Sequence, residues 1–316
     1  MNLVNLPLFD RLRDARSVLI AGAGGGFDVF AGLPLYLSLK SQGKSVRLAN
    51  LSFSYLGGTD ATPLDSVMYE VRASTRGEDK YLPERALCEW LEQRGDSSSV
   101  YAFSKTGVRQ LRAAYARLID QFSIDALVLV DGGTDILMRG DEAGLGTPEE
   151  DMCSLAAVAP LRVAQKMVVC LGFGVDAFHG VCHAHFLENV AALAKDGGYL
   201  GAFSLLGSMP EGAAFVDAVQ YANARTPGRP SIVNGSIAAA LKGEFGDVQF
   251  TDRTSGTELF INPLMSLYWA FDLDAVASRV QYLSRIEESE SIFDIHAQIR
   301  AFRRDVQARD RRPIPH

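Results

Sequence analysis

Residues 17–28 have the sequence SVLIAGAGGGFD, in which a short apolar run is followed by a cluster of glycines. The run Ser17–Ala21 predicts a buried strand, and the helical period of Phe27–Gln42 predicts a helix after it. A glycine-rich turn between a strand and a helix is typical of α/β folds, in which ligands bind beyond the carboxyl ends of the strands. The segment therefore predicts an α/β fold with a ligand site near residues 22–28.

Apolar runs alternate with helical segments along most of the chain. This alternation predicts a doubly wound, largely parallel sheet with helices on both faces, of the Rossmann-like type. Further strands are predicted over Val46–Leu51, Val100–Phe103, Ala126–Val130, Met167–Leu171 and Tyr199–Leu205. Further helices are predicted over Gly180–Lys195, Phe215–Ala224, Ile237–Leu241, Asn262–Arg285 and Ile292–Arg309. Residues 57–65, 74–83 and 224–230 have the composition of loops.

The sequence contains no internal repeat and no segment with the composition of a linker. One α/β domain is therefore predicted over residues 1–316, with residues 286–316 as a C-terminal helical extension. Four cysteines without a CxxC pair argue against a structural zinc site.

The composition, 47% hydrophobic and 22% charged, is that of an ordinary globular protein. A formal charge of −7 argues against general attraction to nucleic acid or to an anionic membrane. The N-terminus lacks the features of a signal peptide, and no run approaches the roughly 20 apolar residues of a membrane span. We therefore expect a cytoplasmic protein whose partner is a small molecule. A homo-oligomer remains open, because dimers are common.

The glycine turn offers backbone N–H groups to an anionic ligand, and Gly24, Gly25 and Gly26 are its candidate ligand-binding residues. Asp28 complicates this prediction, because a carboxylate at a helix start competes with an anion for the positive end of the helix dipole. Asp28 would either cap the helix in place of the anion or need a cation to bridge it to the ligand. A purely structural turn is the remaining alternative.

The spacing of the glycines differs from the dinucleotide-binding fingerprint. That pattern, GxGxxG, would need a glycine at the sixth position counted from Gly22, where this chain has Phe27. An acid that holds the ribose is also expected near the end of the second strand, where the chain has Asn50. An NAD-dependent oxidoreductase is therefore the less favoured class.

A second glycine turn follows the predicted strand Ala126–Val130. Asp131 and Asp135 flank Gly132, Gly133 and Thr134, again at the carboxyl end of a strand. The two carboxylates would share a divalent cation or act as acid and base, and the glycines and the threonine hydroxyl would contact the ligand. Helix capping by one of the two acids is the structural alternative.

Three histidines lie close together in the sequence HGVCHAH at residues 179–185. If a helix begins near Gly180, His179 and His183 share its inward face and His185 faces solvent. The pair has the spacing of metal ligands on a helix, and Asp176 just before it would be a third ligand or would orient one ring. Proton transfer, metal binding and a structural role in the core all remain open.

Three motifs carry a family resemblance: GAGGGFDV at 22–29, VDGGTDILMRGDE at 130–142 and GVDAFHGVCHAHFLENVAAL at 174–193. With NPLMSLYWAFDLDAVASR at 262–279, the chain resembles a prokaryotic family known as domain of unknown function 1152. The resemblance implies an α/β protein with these loops at its working end. It implies no substrate, because no activity is attached to the family.

Together the motifs predict a small-molecule enzyme, a hydrolase or group-transfer enzyme that acts on a phosphate- or carboxylate-bearing metabolite such as a nucleotide. Asp131 and Asp135 would bind a cation or act as acid and base, and His179 or His183 would move a proton, because imidazole changes charge near neutral pH. The sequence does not fix a cofactor; a divalent metal ion is the one these groups suit. The alternative class is a non-enzymatic sensor that binds a nucleotide or metabolite.

Overall fold

The structure, a computed structural model, describes residues 6–77, 81–251 and 259–314. Among these residues, helices cover both faces of one nine-stranded sheet, which confirms the predicted α/β fold class. Part of the predicted loop at 74–83 and both ends of the chain lie outside the described residues.

Eleven strands are present in the described residues, numbered here along the chain. They are β1 (Ser17–Gly22), β2 (Ser45–Leu51), β3 (Thr62–Pro63), β4 (Met68–Val71), β5 (Val100–Phe103), β6 (Ala126–Gly132), β7 (Gln165–Leu171), β8 (Tyr199–Ser204), β9 (Gly246–Asp247), β10 (Phe260–Ile261) and β11 (Leu267–Asp272). The main sheet has the order β3-β4-β5-β2-β1-β6-β7-β11-β8, and β9 pairs with β10 separately. The six strands predicted from apolar runs all occur, with bounds that differ by at most two residues.

The centre of the sheet is parallel and its margins are mixed. The strands β5, β2, β1, β6 and β7 all pair in parallel. Toward the two edges, β4 pairs antiparallel with β5, and β11 pairs antiparallel with both β7 and β8. The largely parallel sheet that the sequence predicts is therefore present, with β4 and β11 running against the other strands.

Twelve α-helices, also numbered along the chain, occur in the described residues. They are α1 (Pro7–Leu12), α2 (Asp28–Ala31), α3 (Leu33–Ser41), α4 (Pro83–Glu92), α5 (Val108–Phe122), α6 (Pro148–Val158), α7 (His183–Lys195), α8 (Pro210–Arg225), α9 (Ile232–Leu241), α10 (Leu273–Arg279), α11 (Leu283–Ile286) and α12 (Ile292–Asp305). None of these helices is both long enough and apolar enough to cross a bilayer.

Two predicted helices are divided or replaced in the structure. The helix predicted over Phe27–Gln42 is divided into α2 and α3 at Gly32, because Pro34 lacks the N–H group of a helix interior and is tolerated only in a first turn. The helix predicted over Asn262–Arg285 is wrong. That segment forms a 3-10 turn, the strand β11 and the short helices α10 and α11, because the sheet accepts its apolar run between β7 and β8.

Two hydrophobic cores lie on opposite faces of the sheet, since successive side chains of a strand point to opposite sides. On β1, Leu19 and Ala21 enter one core, which packs against α5, α6, α7, α10, α11 and α12. Val18 and Ile20 enter the other core, which packs against α1, α2, α3, α4, α8 and α9. Burial on both faces explains why the central strands are continuous apolar runs in the sequence.

The strand order reverses between β1 and β6, and this reversal positions the site. From β1 the chain passes into α2 and α3 on one face, whereas from β6 it passes into α6 on the other face. The two connections therefore leave a crevice at the carboxyl ends of β1 and β6, where doubly wound sheets bind ligands. Both glycine turns predicted as ligand sites border this crevice.

Candidate functional site

A cavity of about 510 Å³ opens at the crevice between β1 and β6. This volume suits a small-molecule ligand. Its walls come from both glycine turns, from the 3-10 helix at Val175–His179, and from the first turns of α6 and α9. Its lining includes five aspartates, namely Asp28, Asp131, Asp135, Asp151 and Asp176.

The amides of the first glycine turn are already used by the protein. The Gly24 N–H donates to Asp28 Oδ2 at 2.6 Å, and the amides of Gly25 and Gly132 also bond to the Asp28 carboxylate. The Gly26 N–H donates to the Leu51 carbonyl at 3.0 Å. The Asp28 carboxylate thus occupies the place predicted for an anionic ligand. The amides of the glycine turn are therefore already used in hydrogen bonds within the protein.

The position expected for a ribose-binding acid is taken by Asn50, which is fully buried at the end of β2. Its side-chain amide donates at 2.8 Å to the Gly26 carbonyl and at 2.8 Å to Glu84 Oε1. A Cβ on Gly22 would lie 2.2 Å from Asn50 Oδ1, so only glycine fits beside it. Asn50 therefore supports the glycine turn from behind and does not face the cavity.

Asp131 and Asp135 follow β6 and are both buried. Among the described residues, the Asp131 carboxylate receives one long hydrogen bond, from the Ile136 N–H at 3.3 Å. Asp135 is held more firmly, because the Thr147 N–H donates to Asp135 Oδ2 at 2.7 Å and the Thr147 hydroxyl at 3.3 Å. The two acids predicted from this turn thus lie on the same cavity in different environments.

Asp176 reaches the second glycine turn from the neighbouring strand end. It lies in the 3-10 helix after β7, and its carboxylate accepts from the Thr134 N–H at 2.6 Å and from the Thr134 hydroxyl at 3.1 Å. A Cβ on Gly133 would lie 3.0 Å from Asp176 Oδ1 and 3.2 Å from Asp131 Oδ1, so glycine leaves room for both carboxylates. Asp176 therefore orients the turn rather than a histidine ring.

Burial and mutual repulsion set the electrostatics of the five carboxylates. Burial is the largest cause that raises the pKa of Asp28, to about 8, and the charge of Asp135 adds to it. Burial, followed by neighbouring aspartates, also holds the pKa of Asp131, Asp151 and Asp176 well above the usual range. Carboxylates so arranged share protons or share a cation, since they cannot all carry charge without one.

The histidines do not have the predicted arrangement. The helix α7 begins at His183, and Gly180 with φ of 97° separates it from the 3-10 helix that ends at His179. His179 lines the cavity, whereas His183 faces a separate cavity and packs on Phe173 with 5.1 Å between ring centroids. The prediction that both share one helix face is therefore wrong, because the helix starts three residues later.

His185 was expected in solvent and is buried instead. Its Nδ1 accepts from the Ala143 N–H at 3.4 Å, and burial is the largest cause that lowers its pKa. Of the three clustered histidines, His179 is thus the one that lines the aspartate cavity.

Comparison with known families gives one match. The model of the family described as a protein of unknown function, DUF1152, matches residues 59–304, which is well over half of the chain. The chain belongs to the DUF1152 family. The match includes the second glycine turn and the 3-10 helix of Asp176, while the first glycine turn precedes it. No protein of curated function and no solved structure matches the DUF1152 chain significantly.

Sequence reasoning missed one carboxylate of this site. Asp151 lies in the first turn of α6 and is 1% exposed, and no described residue donates to its Oδ1. Acids in a first helical turn are common as dipole partners, so its position alone carries no signal. The signal available was its place at the head of the apolar segment Met152–Val158, where an acid is costly to bury.

Two cations at the rim of the cavity were also missed. Lys105 lies after β5, pairs with Glu150 at 2.7 Å, and has its Nζ 4.2 Å from the centroid of the Phe53 ring. Arg229 lies before α9 and faces the Tyr81 ring at 5.6 Å. They follow different strands and helices in the chain, so only the fold brings them to one rim.

Proposed function

We propose that this protein is a small-molecule enzyme, a hydrolase or group-transfer enzyme that acts on a phosphate- or carboxylate-bearing metabolite such as a nucleotide. The observation that carries the proposal is the cluster of five buried aspartates at the strand-order reversal of the sheet. Burying carboxylates is costly, and perturbed acids in a cleft are characteristic of functional sites.

The rim of the cavity supports an anionic ligand. The Arg229 guanidinium lies at the rim, 5.6 Å from the centroid of the Tyr81 ring, and its positive charge suits a phosphate or carboxylate. Lys105 adds a second positive charge, although Glu150 partly neutralises it. An anion held between these cations would lie above the aspartates at the cavity floor.

The aromatic side chains at the same rim support a ligand with a planar ring. Phe53 is 40% exposed although it packs against the glycine turn, and Tyr81 lies on the neighbouring wall. An exposed ring beside a cation suits a nucleobase, which stacks on aromatic faces while its phosphates meet the positive charge. A nucleotide therefore satisfies both features of the rim.

Asp135 and His179 are the candidates for proton transfer. Both line the cavity, and the charge of His179 acts on the Asp135 carboxylate, which Thr147 holds in place. A histidine at the open side of the cavity can take a proton from an attacking water or give one to a leaving group. Asp131 also lines the cavity, where a long hydrogen bond from the Ile136 N–H holds it only weakly, and it would contact a cation or the reacting group.

The test is a turnover screen of nucleoside mono-, di- and triphosphates and simple phosphate esters in the presence of Mg²⁺ or Mn²⁺. Turnover is measured as the release of phosphate. We expect turnover by the wild-type chain, its loss in Asp131→Asn and a lower kcat in His179→Gln. His296→Gln is the matched control, because that imidazole pairs with Glu149 outside the cavity. Equal turnover in all variants would mark a contaminant, and tight binding without turnover would favour the sensor.

A further inference from the structure

The five aspartates divide into two groups according to whether a threonine holds the carboxylate. Asp135 and Asp176, here called the outer carboxylates, each accept an N–H and a hydroxyl from one threonine. Thr147 serves Asp135 and Thr134 serves Asp176. Two donors fix a carboxylate in place and satisfy part of its hydrogen-bonding capacity.

The other three, here called the inner carboxylates, are Asp28, Asp131 and Asp151. Asp28 is held by the glycine amides, Asp131 has one bond of 3.3 Å, and Asp151 Oδ1 has no donor among the described residues. Each inner side chain is more than nine-tenths buried. A buried carboxylate oxygen without a donor requires some other partner, and an acceptor-only group can be satisfied only by a proton, a donor or a cation.

The inner carboxylates converge on one point. One oxygen from each of Asp28, Asp131 and Asp151 lies within 4.8 Å of the others. A Cβ on Gly24 would lie 2.9 Å from oxygens of both Asp28 and Asp151, so a glycine there keeps the space between them open. Similarly, a Cβ on Gly132 would lie 2.9 Å from Asp28 Oδ1. The space is bordered by acceptors on the protein side and opens to the cavity.

We propose that Asp28, Asp131 and Asp151 bind one divalent cation, Mg²⁺ or Mn²⁺, at the floor of the cavity. A set of three carboxylate oxygens without sulfur or imidazole suits a hard cation rather than zinc. An octahedral ion with three protein ligands keeps three positions for water or for oxygens of a ligand. The uncommitted oxygen of Asp151 is then a metal ligand.

The cation also resolves how an anion is held beside Asp28. The glycine amides that would otherwise meet a phosphate are used on the Asp28 carboxylate, and a cation at the inner carboxylates presents positive charge in their place. A phosphate bound to the cation would reach toward Arg229 at the rim. This last step rests on the proposed function, whereas binding of the cation does not.

The experiment is a titration of the full-length chain, stripped with EDTA, with Mn²⁺ alone. Binding is followed by calorimetry and by loss of the electron paramagnetic resonance signal of free Mn²⁺. We expect one Mn²⁺ per chain and, in Asp151→Asn, a loss of affinity of roughly tenfold or more, as for a disrupted metal site. Glu149→Gln is the matched control, an acid in the same helical turn that pairs with His296 outside the cavity, and should bind as the wild type does.

Asp131→Asn is the second ligand variant and replaces Asp151→Asn if that chain fails to fold by circular dichroism. Absence of Mn²⁺ binding at millimolar concentration, or equal affinity in the ligand variants and in Glu149→Gln, would overturn the cation site. The two proposals fail separately. Turnover by a chain that binds no Mn²⁺ in the titration would overturn the cation and keep the enzyme, whereas one bound Mn²⁺ without any turnover in the nucleotide screen would keep the cation and count against the enzyme.

Discussion

Replacing Gly24 with alanine inserts one methyl group between two carboxylates and changes little else. The new Cβ would lie 2.9 Å from Asp28 Oδ2 and 2.9 Å from Asp151 Oδ1, whereas an ordinary contact is 3.4–4 Å. Gly24 has no left-handed φ, so the backbone accepts alanine and the cost is steric. Both oxygens belong to short side chains held in a buried site, so each must move by about half an ångström or more.

Overpacking of this kind costs about 1–3 kcal/mol of the free energy of unfolding. It also separates the inner carboxylates, so we expect the affinity for Mn²⁺ to fall together with the stability. Gly228→Ala is the control, because a Cβ there meets nothing within 4 Å and the backbone again is not left-handed. Urea unfolding and Mn²⁺ titration measure both effects. If Gly24→Ala matches Gly228→Ala in both measurements, the close approach to Asp28 and Asp151 is not present in solution.

Three further predictions concern the scaffold around the site. Burial raises the pKa of Glu84 from 4.5 to about 7, so the folded chain keeps this carboxyl protonated at pH values where the unfolded chain loses the proton. The free energy of unfolding is therefore highest below about pH 4.5, and this contribution is lost as the pH rises through 7. At about 1.4 kcal/mol per pKa unit the loss is roughly 3 kcal/mol; urea unfolding at pH 5 and 8 should show it in the wild type and not in Glu84→Gln, and parallel pH profiles would contradict it. Ser291→Ala removes the capping box with Asp294 at the start of α12 and should cost about 1 kcal/mol in thermal unfolding, with Ser291→Thr close to the wild type. Phe186→Ala empties a fully buried position between two aromatic rings and should cost about 3–5 kcal/mol in urea unfolding; a loss below 1 kcal/mol would show that α7 is not packed as described.

Most of the central sheet could be predicted from the sequence, because strands buried on both faces are uninterrupted apolar runs. The strand predicted over Val100–Phe103 has the same bounds in the structure. The strand predicted over Ala126–Val130 continues for two more residues, to Gly132. The helix predicted around Leu267–Asp272 is wrong, because this segment is a strand and a short apolar run fits a buried helix as well as a strand. The strand conformation of this segment depends on pairing with β7 and β8, which are distant from it in the sequence.

The site could be predicted in part, wherever a side chain follows a strand end. Asp28, Asp131 and Asp176 were placed at the working edge by that rule, and the structure brings them to one cavity. Asp151 lies in the first turn of α6, and Arg229 lies just before α9. No local sequence pattern indicates which strand end the start of a helix will face. The partner of each buried carboxylate is likewise set by tertiary packing, so the division into inner and outer carboxylates could not be predicted from spacing.

The location of the working site is tested most directly by anomalous diffraction from crystals of the wild-type chain grown with Mn²⁺. We predict one strong anomalous peak within coordination distance of Asp28, Asp131 and Asp151, at the floor of the cavity between β1 and β6. Peaks confined to surface carboxylates, with ordinary protein density and no peak between these three side chains, would contradict it.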